Sequence, residues 1–411
     1  MIRALWIGAL TLALASPVAA QDIPAWRPVN AETGKIQDVE GLESLTEAFP
    51  DSGSVRLRLL QAQMAERDAE AVLESLKWLN MRGYVFSEGA QTQIPELLGV
   101  DHAEAAKALL IAEPKTIEAS TVVATLPSEA GLIESVLKDP ETGNLVATSY
   151  SQGAIWQYES PESHLEYSIS GYSRFSGIAI DPVSNQTWIS MGALPHPIEP
   201  AKTVPALTSL CLDLECTGQL SVVNFAAESL NDLHATHEGT LYASDSIGGG
   251  IYRRATNSKT LEQFIAPGIL RSPQGIASSA TWPRIYVSDY RYGIAMIDTS
   301  KGVATRLASD VPVLLDGIDG LWMHNGELIA VQNGTSPMRI SAFTLSEDGT
   351  RITAARVLEQ ANPGWTEPLG GSISDNALIY VATGQWDRYE EGKLREGMEA
   401  IPTEIRRLPL K

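Results

Sequence analysis

Only two cysteines occur in 411 residues, and basic side chains are scarce, with 30 Lys and Arg against 50 Asp and Glu for a net charge of −20. So few cysteines exclude a disulfide-dense miniature fold and any thiolate cluster for zinc. The acidic balance, with no run of five Lys or Arg anywhere, excludes nucleic acid as a partner, because a polyanion would be repelled. Past residue 20, no apolar stretch reaches the roughly 20 residues that a membrane-spanning helix needs. Two catalytic signatures are missing as well. No Gly-x-Ser-x-Gly elbow marks a serine hydrolase, and no Gly-x-Gly-x-x-Gly marks a dinucleotide site. What remains, 44% hydrophobic and 19% charged residues, is the composition of a packed protein.

Residues 1–20 read MIRALWIGALTLALASPVAA: one Arg, an apolar stretch from Ala4 to Ala15, then Pro17 and small residues. This is the pattern of a signal peptide cleaved near Ala20, and the stretch is shorter than a membrane anchor requires. A secreted or periplasmic location is expected. In an oxidising compartment Cys211 and Cys216, five positions apart in SLCLDLECTGQL, are expected to bridge as a structural staple. Their spacing is not that of a Cys-x-x-Cys redox pair.

Residues 21–37 read as an extended lead. Residues 38–113 then carry a helical period. Val39, Leu42, Leu45 and Phe49 recur at steps of three and four, and so do the apolar residues from Val55 to Leu79, broken at Glu66-Arg67-Asp68. The break predicts an antiparallel helical hairpin. It resembles a single tetratricopeptide-type unit, and one unit buries too little surface alone, so it is expected to pack on the rest of the chain. A structural cap is expected here rather than a peptide-binding groove, with a protein partner at the helices as the alternative.

From residue 118 to the end, short alternating strands take over. Six phrases repeat, among them GLIESVLKDPETGNLVATSY, LNDLHATHEGTLYASDS and IDGLWMHNGELIAVQNG. Aligned, they stack Glu134, Ser176, Asn231, Gln274, Asp319 and Gly370 in one column, at separations of 42, 55, 43, 45 and 51. Repeats of that length, with two visible strands and room for two more, predict a mainly β fold: a six-bladed β-propeller over residues 118–411, behind a small α-helical segment.

In a propeller the first strand of each blade lines the central channel, so equivalent strand starts converge near the axis. Glu134, Asn231, Gln274 and Asp319 then form an all-oxygen set whose two carboxylates balance a divalent cation: Ca²⁺ first, with Mg²⁺ or Mn²⁺ as alternatives. Without a cation, the two acids would be costly to hold together.

The column and the phrases LNDLHATHEGTLYASDS, SPQGIASSATWPRIYVSDY and GIDGLWMHNGELIAV resemble the senescence-marker-protein/gluconolactonase family, with paraoxonases and strictosidine-synthase-like proteins as wider relatives. The resemblance spans about residues 118–390. It implies a six-bladed propeller with a divalent metal on its axis, and often hydrolysis of lactones or esters. By the same resemblance Glu134 and Asp319 are metal-binding, Asp319 is also the general base, and Asn231 stands beside the metal. Gln274 falls where the family has a metal-binding Asn. Ser229 falls where the sugar-lactonase branch has an Arg, which points to an ester or lactone other than that of a sugar acid.

The function expected is an exported metal-dependent hydrolase for a small-molecule lactone or ester, with Asp319 as base. His234, three residues past Asn231, is a second candidate base, against the alternative of a packed histidine bonded between blades. The competing reading is a non-enzymatic propeller scaffold for a protein, peptide or glycan, since the fold hosts both. A quinone-dependent dehydrogenase is disfavoured because the column supplies no basic residue to grip the cofactor.

Overall fold

The computed structural model describes residues 23–111, 113–160, 163–168, 173–195, 203–210, 220–222 and 227–410. The expected signal peptide and the Cys211–Cys216 pair lie outside the described residues.

Five helices come first: α1 (Val39–Ala48), α2 (Gly53–Glu66), α3 (Ala69–Asn80), α4 (Glu88–Leu98) and α5 (Ala103–Leu109). Polar residues begin four of them. Asp38, Ser52, Asp68 and Ser87 accept the backbone N–H of Gly41, Val55, Ala71 and Ala90, each satisfying a donor the helix cannot. The predicted break is a true turn, where Arg67 takes a left-handed conformation (φ 60°) to end α2 and Asp68 caps α3.

Helix α2 buries two faces. Val55 and Leu59 join Leu42, Leu45 and Phe49 of the α1 region in a core shared with Leu270 and Tyr292 of the β half, where the Phe49 and Tyr292 rings meet at 4.9 Å. Leu60 faces the other way, into a separate core with Val72, Leu76, Leu79 and Ile94. The hairpin therefore packs on the propeller as expected. Ahead of it, Ala25 pairs with Thr305 and Trp26 N–H donates to Ala304, so the lead runs along the edge of the fourth blade.

Six sheets of at least four antiparallel strands follow. Their inner strands are Ile133–Lys138, Ser173–Ile180, Leu230–Ala235, Pro273–Ser278, Ile318–His324 and Gly371–Ser374. The sixth blade takes its outermost strand, Thr121–Leu126, from ahead of the first blade and pairs it with Thr403–Pro409. That pairing closes the ring and removes its free edge. Sequence turn chemistry holds at Asn325-Gly326, a two-residue hairpin with both φ positive (48° and 80°). Among the described residues, no helix is long and apolar enough to cross a membrane.

The helices sit over one end of the ring. Each inner strand begins at that end, where each second strand finishes: Ile133 is opposite Ser149 and Ile318 opposite Gln332. Gly53 and Ser54, opening α2, donate to the Asp316 carboxylate at 2.8 and 2.6 Å, with the helix N-terminus favouring the negative charge. Ser52 Oγ donates to Arg291 O, and Val85 and Ser336 bond each other through the backbone. All these loops lie at the end where the inner strands start.

Candidate functional site

Five of the six inner strands break register at their column position. The shifts fall between Ile133 and Ser135, Phe175 and Ile178, Leu230 and Leu233, Pro273 and Ile276, and Ile318 and Gly320. Glu134, Ser176, Asn231, Gln274 and Asp319 are thus residues left out of the ladder, and such bulges re-aim side chains. Here they are re-aimed at the axis. Glycine follows the column residue where the next blade closes in: a Cβ on Gly177 would lie 2.5 Å from Leu233 N, and one on Gly275 only 2.4 Å from Leu321 N.

Hydroxyls of the preceding blade bond carbonyls at or beside the bulges. Thr148 Oγ1 donates to Ser176 O, Ser190 Oγ to Asn231 O and Ser288 Oγ to Ile318 O. A buried carbonyl left unbonded would be costly, so these hydroxyls hold the inner strands at their close spacing.

All six column residues line one void on the axis, together with Ser135, Gly177, Asp232 and Gly320. The void measures about 20 Å³, the room of a single water or ion. The four side chains expected there are therefore brought together. His234 is not among them. It lines a different cavity further along the channel, and its Nε2 lies 2.7 Å from Ser278 Oγ on the next blade, the inter-blade bond that was the alternative reading. Burial pushes its pKa down to about 4, so the ring is neutral.

The electrostatics of the void are one-sided. Burial raises Glu134 well above the usual carboxylate range, and Asp319, Glu367 and Asp232 raise it further against the Trp386 hydrogen bond. Asp319 is pushed up to about 8 by burial and then by Glu367 and Asp232. Burial lifts Asp232 to about 7, although two backbone N–H groups hold it back. Glu367 is raised too, first by burial. No basic side chain is among the causes acting on Glu134 or Asp319. These acids cannot all ionise at neutral pH unless positive charge stands among them.

The residues present fit a divalent cation. Among the described residues no group of three or more His, Cys, Asp or Glu is set to hold a metal, so Glu134 and Asp319 need amide oxygens and water to complete a shell. Asn231 Oδ1 accepts from Ser229 Oγ at 3.0 Å and keeps a second lone pair. Gln274 directs its amide nitrogen to Ser272 Oγ at 3.5 Å, at the limit of a hydrogen bond. Trp386 Nε1 donates to Glu134 Oε2 at 2.9 Å and leaves Oε1 for another partner.

Asp232, Glu367 and Trp386 were missed as parts of this site. Asp232 follows a column residue and would face away in a regular strand, but the bulge turns it to the void. Glu367 stands three residues before Gly370, where the sixth repeat has no side chain, and falls outside the column. Trp386 comes from the long connection between Ala377–Val381 and Thr403–Pro409 and packs edge-on against Tyr150 at 4.8 Å.

No protein-family model and no curated protein matches the chain. Its neighbours among solved structures are gluconolactonase- and regucalcin-type six-bladed propellers and others of that shape. A gluconolactonase from Xanthomonas campestris is 15% identical, with a TM-score of 0.48, covering 71% of this chain and 96% of its own. Regucalcin from Agrobacterium tumefaciens, described as a calcium-binding protein, is 13% identical (TM-score 0.45, 70% of this chain and 97% of that one). Aldose sugar dehydrogenase from Streptomyces coelicolor, in its PQQ-bound form, is 13% identical (TM-score 0.45, 71% and 100%).

Proposed function

We propose that the chain is an exported hydrolase for a lactone or related ester, working at the propeller axis with a divalent cation, Ca²⁺ first among the candidates. One observation carries this reading: Glu134, Asn231, Gln274 and Asp319, remote in sequence, line one ion-sized void whose acids lack a countercharge. When bound by those four residues, the cation would polarise a carbonyl oxygen and acidify a water.

The chain's own groups do the rest. Asp319 accepts the attacking water's proton at a carboxylate oxygen, which requires it to be ionised, and then returns the proton to the leaving alkoxide. Asn231 and Gln274 complete the shell or steady the oxyanion with an amide N–H. Trp386 fixes the Glu134 carboxylate through Oε2. Ser229, bonded to Asn231, supplies no cationic grip for a sugar acid, which supports a less polar ester or lactone.

The test is metal analysis of protein purified without chelator, with hydrolysis of a lactone and aryl-ester panel before and after chelation. One bound cation per chain and a chelator-sensitive activity are expected. Asp319→Asn should lower kcat at least about a hundredfold, the scale of a lost general base. Chelation that changes neither melting temperature nor any activity overturns the reading in favour of a binding scaffold.

A further inference from the structure

We propose that the channel mouth opposite the acidic void is a binding site for a small amphiphile without negative charge, with an aliphatic or aromatic body and one hydroxyl or carbonyl group. The inner strands run from the void to this far end, and each contributes side chains to a cavity of about 380 Å³. That lies within the size range of small-molecule pockets.

The lining is apolar where the channel meets water. Ile178, Leu233 and Ile276 form the buried wall, and Trp322, Met323 and Ile373 continue it in half-buried positions. A channel mouth filled only with water gains nothing from such a ring, and apolar surface gathered in a concavity marks a ligand site. The helices leave this end open, because the loops they bond to lie at the other end.

The polar groups limit the occupant. His234 and Ser278 both line the cavity, 2.7 Å apart on adjacent blades. Whichever of the two donates, the pair keeps one further donor and one further acceptor, which suits a hydroxyl or a carbonyl. Asp232 belongs to the lining of both the cavity and the acidic void, so an anionic head group would meet carboxyl groups. Lys138, also in the lining, is paired with Asp375 at 2.6 Å, which offsets its pull on an anion.

This inference stands apart from the hydrolase reading and is tested with no reaction. Calorimetric titration of the whole chain with 1-octanol and octanoate, chelated and cation-loaded, is the experiment. Saturable binding of one octanol, at least tenfold tighter than octanoate, is expected. Ala235→Phe and Ser374→Tyr, which narrow the mouth from two sides, should each weaken octanol at least tenfold. Val100→Ser on the helical surface should leave binding unchanged. Absence of saturable octanol binding, equal or tighter binding of octanoate, or full affinity in a folded narrowing variant overturns the proposal. If neither variant folds, the intrinsic fluorescence change on adding octanol must vanish in Trp322→Phe, and its persistence overturns the proposal.

Discussion

The two ends of the central channel are built from the same six strands and differ in chemistry. At the helix-covered end, bulges push Glu134, Ser176, Asn231, Gln274 and Asp319 out of the ladder toward the axis. At the far end the strands pair regularly, for example Met323 with Leu328 and Ala277 with Tyr286, and the channel lining turns apolar. The lesson is that position along a strand separates the two chemistries more than residue type does. A few residues beyond each bulge, the alternation of an ordinary strand resumes.

Substitutions can break that contrast at its source. Gly275→Ala puts a Cβ 2.4 Å from a backbone nitrogen of the next blade, and a backbone cannot swing aside as a side chain can. A loss of about 3 kcal/mol is expected in urea unfolding, at the upper end of overpacking costs. Next in size is Glu134→Gln. In chelator it should raise the melting temperature by about 1–2 °C, roughly 1 kcal/mol, because one acid leaves a cluster without a countercharge. The same variant should lose the upward shift that Ca²⁺ gives the parent chain, and a shift kept in full would detach Glu134 from cation binding.

Acid sharpens the comparison further. Asp319 is pushed from 3.8 to about 8 in the fold, so the folded chain binds more protons than the unfolded one between those values. Stability in chelator should therefore rise as pH falls from about 8 toward 5, seen as a higher melting temperature at pH 6 than at pH 8. Saturating Ca²⁺ should flatten that slope. The smallest effect expected is that of Ser190→Ala, which strips the hydroxyl from Asn231 O and should cost about 1 kcal/mol.

Much of this was legible in the sequence because repetition is a long-range signal that needs no knowledge of contacts. The column stacked Glu134 with Asp319 across 185 residues, and both line the void. The period of α1 to α3 gave the helices, and Arg67-Asp68 gave the turn between them. What stayed hidden depends on geometry the repeat does not encode. A bulge reverses the facing of Asp232, and Glu367 lies outside the column altogether. His234 shares a strand with Asn231, yet it lies beyond the bulge and lines the far mouth. Helix α2 shows the same limit, since its face toward the propeller (Val55, Leu59) and its face toward α3 (Leu60) cannot be told apart by spacing.

The pairing of Thr121–Leu126 with Thr403–Pro409 sets Thr121 opposite Arg407, nearly the whole length of the β half away in sequence. Without that pairing the blades would form an unfastened fan, and the circle would stay open. Because the two ends of the fan are neighbours in space, a rearranged gene that leaves out the helical segment could tie them together and begin the chain at the exposed Glu141–Gly143 turn instead. The circle would then be sewn shut within its first blade, with every wedge keeping its place.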